Sequence, residues 1–317
     1  MASLELPFTA PWLLAPMEGV TDPCFRDLVL ERHAPDQLGG AYTEFVRVVR
    51  SALPERVLLR HLGPRRYPIP VGIQLMGADR GAVAETAARA EAVGAPLVDL
   101  NFGCPSKGAL RGCAGSALLD DPSGVEALVR VCAEAVRGVP VTAKIRAGGE
   151  DTSLLEELCL AAQEGGAALL TVHARTRAEK YAVDADWSRL ARAAAAVDIP
   201  VCGNGGVEEH ADLERLRRET GCAYAMVGRA ALGDPWIFGG RRVGRREAAD
   251  FLLEYVERLK GEGGASFKQA TARAKQLLKT WAAGQLVDDH TAYLRENDPQ
   301  RLIDRIRAAA ELEASAP

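Results

Sequence analysis

Short apolar runs alternate with longer segments of helical spacing through residue 227 of the chain. Eight of these runs are predicted to be β-strands, at residues 12–15, 39–43, 70–75, 97–100, 141–145, 168–172, 199–203 and 223–227. Between most of them, apolar residues recur every three or four positions, which is typical of amphipathic helices. The alternation predicts parallel strands joined by right-handed helical crossovers, and eight such units favour an α/β fold of the closed (β/α)8 TIM barrel type.

The competing architecture is an open, doubly wound sheet. Such a sheet normally carries a glycine-rich turn after its first strand, whereas here that strand is followed by Ala15-Pro16-Met17-Glu18-Gly19. A nicotinamide-binding Rossmann domain is therefore not expected.

The alternation ends at Phe238, and helical periodicity alone continues beyond it. Residues 1–238 are therefore predicted to form the barrel, and residues 239–317 a small all-helical domain. Between residues 241 and 281, ten basic residues stand against five acidic ones, in a chain whose formal net charge is −4. This excess predicts a surface that binds nucleic-acid phosphates, although a solvated helical face would have the same composition.

Every predicted strand ends in, or is followed by, candidate functional residues. In chain order they are Met17 and Glu18, Thr43 and Glu44, Gln74, Asn101 and Cys104, Lys144 and Arg146, His173 and Arg175, Asn204, and Gly228 and Arg229. In a (β/α)8 barrel the carboxyl ends of all strands meet on one face, which carries the active site. We therefore expect these side chains to line one pocket.

The last two strands are followed by glycines that predict a phosphate site. Residues 203–206 read Gly-Asn-Gly-Gly, and Gly228 precedes Arg229, so backbone N–H groups can approach an anion in both loops. A phosphate there, together with Lys144 at the end of the fifth strand, suits FMN, because a lysine can stabilise negative charge on the reduced flavin ring. Ordinary glycine turns and a solvent-facing lysine are the simpler interpretation.

One of the seven cysteines is placed for chemistry. Cys104 lies in Asn101-Phe102-Gly103-Cys104-Pro105-Ser106, where Gly103 lets the backbone turn and Pro105 fixes φ, so the thiol is expected on a stiff loop. The cysteines form no Cys-x-x-Cys pair, so neither a disulfide framework nor a metal site is predicted. Cys113 leaves open a disulfide with Cys104 or a resolving role in thiol oxidation.

The composition is that of an ordinary globular protein, with 48% hydrophobic and 26% charged residues. No apolar run approaches the ~18 residues of a membrane span, and the N-terminus lacks the basic start and apolar core of a signal peptide. We therefore expect a cytoplasmic protein with no membrane contact. A monomer is expected as well.

Five segments resemble the motifs of the flavin-dependent tRNA-dihydrouridine synthases. They are residues 14–22, 98–105, 143–146, 172–176 and 227–229, and their order and spacing hold from residue 13 to about 238. Residues 43–48 and 272–279 look most like the C-type bacterial subfamily, which is associated with position 16 of the D-loop. The resemblance implies an enzyme that reduces a uridine of tRNA to dihydrouridine, with NADPH or NADH as electron donor.

The resemblance also implies a role for each matching residue. Contacts to FMN are expected from Pro16, Met17, Gln74, Lys144, His173, Asn204, Gly205, Gly206, Gly228 and Arg229. The uracil is expected to meet Asn101 and Arg146, and Arg175 is expected to be a further substrate contact. The basic excess of the helical domain, and not the resemblance, predicts contacts to the tRNA backbone from Lys268, Arg273, Lys275 and Lys279. Reduced flavin N5 would transfer hydride to uracil C6, and Cys104 would protonate C5, since a free thiol with a pKa near ~8.5 is mostly protonated at neutral pH.

Two other functions stay open at this point. An FMN barrel that reduces a free pyrimidine or another small enone would share the flavin site without needing a basic helical domain. A non-catalytic RNA-binding protein on the same scaffold is the second alternative, although the joint presence of Cys104, Lys144 and His173 argues against it.

Overall fold

A computed structural model describes residues 4–64 and 66–312. Its nine strands are β1 (Trp12–Leu14), β2 (Gly40–Tyr42), β3 (Val46–Arg47), β4 (Val71–Met76), β5 (Val98–Asn101), β6 (Val141–Arg146), β7 (Leu170–His173), β8 (Val201–Asn204) and β9 (Tyr224–Val227). All pairings are parallel, and pairing of β1 with β9 and of β2 with β4 closes an eight-stranded ring. The predicted barrel and its eight strands are confirmed. The extra strand β3 escaped prediction because two residues are too few to show a period.

Helices cover the outside of the ring and continue beyond it. They are α1 (Pro23–Glu31), α2 (Glu55–Leu62), α3 (Arg80–Ala92), α4 (Lys107–Arg111), α5 (Pro122–Ala135), α6 (Leu155–Glu164), α7 (Ser188–Ala196), α8 (His210–Thr220), α9 (Arg229–Gly233), α10 (Arg245–Gly261), α11 (Phe267–Leu278), α12 (His290–Arg295) and α13 (Pro299–Glu311). Carboxylates at Asp22, Asp79 and Asp121 cap the free N–H groups at the starts of α1, α3 and α5. None of the helices in this described part of the chain is long and apolar enough to cross a membrane.

The two faces of each strand bury different neighbours. Val98 and Leu100 of β5 belong to the large core beneath the helices, whereas Leu97 belongs to a small separate cluster with Leu13 and Met226. Because side chains alternate along a strand, Asp99 and Asn101 share the barrel-interior face with Leu97. The interior is thus apolar at the amino end of the strands and polar at the carboxyl end, which is where the site forms.

The C-terminal helices pack directly on the first helix of the barrel. The ring of Phe25 on α1 meets those of Phe251 and Tyr255 on α10, with centroid separations of 5.9 and 6.0 Å. At the edge of this contact the Tyr255 hydroxyl donates a hydrogen bond to Asp22 Oδ2 over 2.7 Å, and Arg273 on α11 pairs with the same oxygen at 2.6 Å. The predicted helical region is confirmed, and a buried polar contact ties it to the barrel.

Candidate active site

A cavity of about 770 Å³ opens at the carboxyl ends of the strands. Thirteen of the eighteen predicted site residues line it: Pro16, Met17, Asn101, Cys104, Lys144, Arg146, His173, Arg175, Asn204, Gly205, Gly206, Gly228 and Arg229. The helical region closes part of its rim through Thr280 and Ala282. The strand-end pattern therefore places these thirteen residues around one space.

The Cys104 loop is held by hydrogen bonds from both sides. Asn101 Oδ1 accepts from the backbone N–H groups of Gly103 and Cys104, at 3.0 and 2.9 Å. Arg146 Nε donates to the Gly103 carbonyl at 2.8 Å. Gly115 packs against this loop, and a Cβ at that position would lie 2.9 Å from the Cys104 carbonyl oxygen. Its φ of +59° also favours glycine. The thiol, half-buried, thus stands on a stiff loop as predicted.

Gln74 does not line the cavity, which differs from its predicted contact with the cofactor. Its side chain is fully buried beneath Asn101, where Nε2 donates to Asp99 Oδ2 at 2.7 Å and Oε1 accepts from Asn101 Nδ2 at 2.8 Å. Burial raises the pKa of the Asp99 carboxyl to about 6, although its hydrogen bonds from Gln74 and Thr142 oppose the shift. Gln74 therefore supports the site from the layer below.

Lys144 is the buried cation of the site. Its Nζ donates to Asn204 Oδ1 at 2.9 Å, and Asn204 Nδ2 donates to the Met226 carbonyl at 2.9 Å, which fixes the orientation of that amide. Burial, reinforced by the charge of Arg146, lowers the pKa of Lys144 to about 8. The ammonium is therefore charged at neutral pH, and a nearby anion would raise its pKa.

His173 presents a hydrogen-bond donor to the cavity. Its Nδ1 accepts from the backbone N–H of Arg175 at 3.1 Å, so the neutral ring carries its hydrogen on Nε2. Burial, followed by the charges of Lys144 and three arginines, lowers the pKa of His173 to about 2. The imidazole is thus neutral at any physiological pH.

The glycine loops after β8 and β9 form the anion side of the cavity. Gly205 and Gly206 have φ of +107° and +77°, a region that favours glycine. Trp187 Nε1 donates to the Gly205 carbonyl at 2.9 Å, and a Cβ on Gly206 would lie 2.8 Å from that indole nitrogen. Arg229, next to Gly228, supplies the positive charge. The three glycines and Arg229 on this side fit a phosphate. The buried Lys144 and the neutral His173 fit a ring that forms hydrogen bonds and gains negative charge when it is reduced.

Tyr181 is a cavity residue that the sequence analysis missed. Its ring lies 4.4 Å from the Arg229 guanidinium carbon and 5.6 Å from that of Arg146, and it meets His173 edge-on at 6.0 Å. It is 54% exposed, on the irregular loop after β7. No strand end or glycine turn marks this position, so periodicity carries no signal for it. Arg175, whose Nε donates to the Val183 carbonyl at 2.5 Å, anchors the same loop.

Residues 13–282 match the dihydrouridine synthase family, Dus, so the match spans the barrel and helices α10 and α11. The chain belongs to this family. It is an oxidoreductase that acts on tRNA, and among the three functions that the sequence left open, membership favours the tRNA-reducing enzyme.

Curated relatives carry a more specific name. The tRNA-dihydrouridine(16) synthase of Cupriavidus necator is 44% identical over 234 residues, which cover 71% of each chain. That of Ralstonia nicotianae is 36% identical over 315 residues, covering 94% of this chain and 95% of the relative. Among solved structures, the nitroalkane oxidase of Streptomyces ansochromogenes covers 96% of both chains at 17% identity and a TM-score of 0.45, a likeness too weak to support any conclusion.

The predicted basic surface of the enzyme is partly neutralised. Five of the ten basic residues between 241 and 281 form ion pairs: Arg241 with Glu247, Arg246 with Glu311, Arg258 with Glu31 and Glu254, Lys260 with Glu257, and Arg273 with Asp22. Glu254 and Glu257 are at local helical spacing from their partners, whereas Asp22, Glu31 and Glu311 lie in distant parts of the chain, where local spacing gives no sign of them. A carboxylate beside a cation offsets its attraction for a phosphate, so these five residues are weaker candidates for tRNA contacts.

The four predicted tRNA-backbone residues differ in how free they are. Lys268 and Lys279 are exposed and form no ion pair within residues 4–64 and 66–312. Lys275 donates to the Leu294 carbonyl at 3.1 Å, and Arg273 is bound to Asp22 with 28% of its side chain exposed. Lys268 and Lys279 are thus the least restrained cations of α11 and its ends.

The remaining expectations concern thiols and metals. All seven cysteines are free thiols, including Cys104 and the exposed Cys113. Within the residues that the structure describes, no three histidine, cysteine or acidic side chains are grouped as metal ligands.

Proposed function

We propose that the enzyme reduces uridine 16 in the D-loop of tRNA to dihydrouridine, with FMN as cofactor and NADPH or NADH as electron donor. The observation that carries this proposal is the convergence of Cys104, Lys144 and Arg229 on one cavity. The names of relatives that are 44% and 36% identical to the chain support position 16.

The cavity offers separate positions for the two ends of FMN. The loops of Gly205, Gly206 and Gly228, with Arg229, would hold the phosphate. Lys144, His173 and Asn204, together with Pro16 and Met17, would contact the ring. Gln74 would not touch the flavin ring, but would hold Asn101, which is proposed to meet the uracil.

The chain's own residues would bind the uracil and deliver the proton. When bound and reduced, FMN supplies hydride to C6. Cys104 donates its thiol proton to C5, so the C5–C6 double bond gains one hydride and one proton, and solvent reprotonates the thiolate. Asn101, Arg146 and Arg175 would orient the uracil ring, and the stiff loop keeps the Cys104 thiol in place.

The cofactor proposal is tested by titrating the purified, cofactor-free chain with FMN. We expect about one FMN per chain, reduction of the bound flavin by NADPH, and its reoxidation by tRNA. The proposal would be contradicted if the chain did not bind FMN, or if tRNA did not reoxidise the reduced flavin.

The helical domain, residues 239–317, is proposed to hold the tRNA while the barrel, residues 1–238, performs the reaction. Swinging a uracil out of a folded RNA costs a few kcal/mol, and contacts to the phosphates offset that cost. Lys268, Lys275 and Lys279, together with the exposed part of Arg273, would provide these contacts. Since the cavity is complete within one chain and tRNA is the substrate, we propose a cytoplasmic monomer.

Charge reversal on this surface should weaken tRNA binding. Lys275 and Lys279 are four residues apart, so they face the same side of the helix end, and neither forms an ion pair with a carboxylate among residues 4–64 and 66–312. We expect Lys275→Glu/Lys279→Glu to lower tRNA affinity and to reduce the slope of log affinity against log salt by about one unit per lost phosphate contact, with unchanged FMN content.

The matched control is Arg130→Glu/Arg192→Glu, which removes the same charge from outer barrel helices α5 and α7. It should leave the salt slope close to that of the wild type. Equal slopes for both double variants would mean that tRNA docks elsewhere.

A further inference from the structure

A fully buried carboxylate lies inside the barrel, one layer below the active-site cavity. Asp99 is 1% exposed, and its two oxygens accept hydrogen bonds from Gln74 Nε2 at 2.7 Å and from Thr142 Oγ1 at 2.6 Å. It forms no ion pair with any residue in the described ranges 4–64 and 66–312. A buried charge without a paired cation is unfavourable, so this residue needs a physical reason to be there.

The first reason is a directed chain of hydrogen bonds that ends at the Cys104 loop. Asp99 accepts from Gln74, Gln74 accepts from Asn101, and the Asn101 oxygen accepts from two backbone N–H groups, those of Gly103 and Cys104. A carboxylate only accepts and a backbone N–H only donates. Both ends of the chain therefore impose the same orientation on the two side-chain amides.

The second reason is charge. Asn101 pairs with Lys144 in the register between β5 and β6, which brings Asp99 and Lys144 onto the same interior face two residues apart. The negative charge of Asp99 raises the pKa of Lys144, whereas burial and the charge of Arg146 lower it. Asp99 thus favours the charged form of the site's buried lysine.

We propose that Asp99 is a positioning residue for both halves of the site: its oxygens hold the Cys104 loop through Gln74 and Asn101, and its charge supports the Lys144 ammonium. The loop part stands on contacts within the chain alone. The charge part rests on the proposed flavin site.

Three variants separate the two parts. Asp99→Asn removes the charge but keeps an acceptor oxygen for Gln74. The loop N–H groups still fix the orientations of the Asn101 and Gln74 amides, so Gln74 Nε2 still needs an acceptor at residue 99. Asp99→Leu removes both charge and acceptor, and Gln74→Met breaks the chain at its next link. Thr171→Val is the control, since it removes a buried interior hydroxyl that takes no part in the chain of hydrogen bonds from Asp99 through Gln74 to Asn101.

Hydrogen exchange of the Gly103 and Cys104 amides tests the loop part, with or without cofactor. We expect exchange about tenfold faster in Asp99→Leu and in Gln74→Met, and unchanged exchange in Asp99→Asn and Thr171→Val. Gln74→Met decides the matter where the leucine variant does not fold. Protection equal to wild type in Gln74→Met, or in a folded Asp99→Leu variant, would overturn the loop part.

The pH dependence of FMN affinity tests the charge part. In the wild type we expect affinity to fall as pH rises through the titration of Lys144. In Asp99→Asn this fall should begin about one pH unit lower, whereas Thr171→Val should follow the wild type. An identical profile in Asp99→Asn would overturn the charge part. A wild-type chain that binds no FMN would overturn the proposed function and the charge part together, and hydrogen exchange would still decide the loop part.

Discussion

Replacing Cys104 with alanine should slow dihydrouridine formation by about 10²–10⁴-fold, the usual contribution of a positioned proton donor. Alanine removes the thiol that would donate the proton. It leaves in place the hydrogen bonds of the Cys104 backbone with Asn101 and Ser116. FMN content, flavin reduction by NADPH and tRNA affinity should therefore remain as in the wild type. Single-turnover reoxidation of the reduced enzyme by tRNA measures the loss at the chemical step.

Cys113→Ala is the matched control, because it removes an exposed thiol that does not line the cavity. We expect wild-type turnover in this variant. Wild-type turnover in Cys104→Ala would exclude the thiol as the acid, and a large loss in Cys113→Ala would favour a resolving role for the second thiol.

Lys144→Met should weaken FMN binding by about 10- to 100-fold, since hydrogen bonds to charged groups contribute about 1.5–3 kcal/mol. The pH profile gives a sharper signature. The pKa of Lys144 is lowered to about 8, so the ammonium is present below that pH and is lost above it. Wild-type affinity should therefore fall between about pH 7 and 10, and the affinity of the methionine variant should stay flat over this range.

Lys107→Met serves as the control for this experiment, because it removes one lysine charge from α4, outside the cavity. It should reproduce the wild-type profile. A pH-dependent fall that persists unchanged in Lys144→Met would assign the titration to another group and remove Lys144 from the flavin site.

The barrel could be predicted because its signal is local and repeated. Each strand and helix can be recognised from the apolar pattern of about ten residues. The parallel topology then brings all strand ends to one face. That is why thirteen predicted residues line the cavity, although they are spread from Pro16 to Arg229.

Contacts that depend on long-range packing could not be predicted. Arg273 looked free on its helix, but Asp22 lies 251 positions earlier in the chain and pairs with it only after α11 docks near α1. Gln74 ends one layer lower than expected, because the depth of a residue within the barrel depends on the stagger of the strands. The position of Asp99, in contrast, could have been predicted, since residues 97, 99 and 101 are two apart and share one face of the strand.

Mapping dihydrouridine in an unmodified tRNA after a single turnover with the FMN-loaded, NADPH-reduced enzyme tests the proposed reaction and its position together. Mass spectrometry of nuclease fragments locates the reduced base. We expect dihydrouridine at position 16, matched by reoxidation of one flavin per base reduced, and none at the other D-loop uridines. Reduction of a different uridine would contradict the assigned position. A free pyrimidine reduced as fast as tRNA, or tRNA left unreduced, would contradict the central claim.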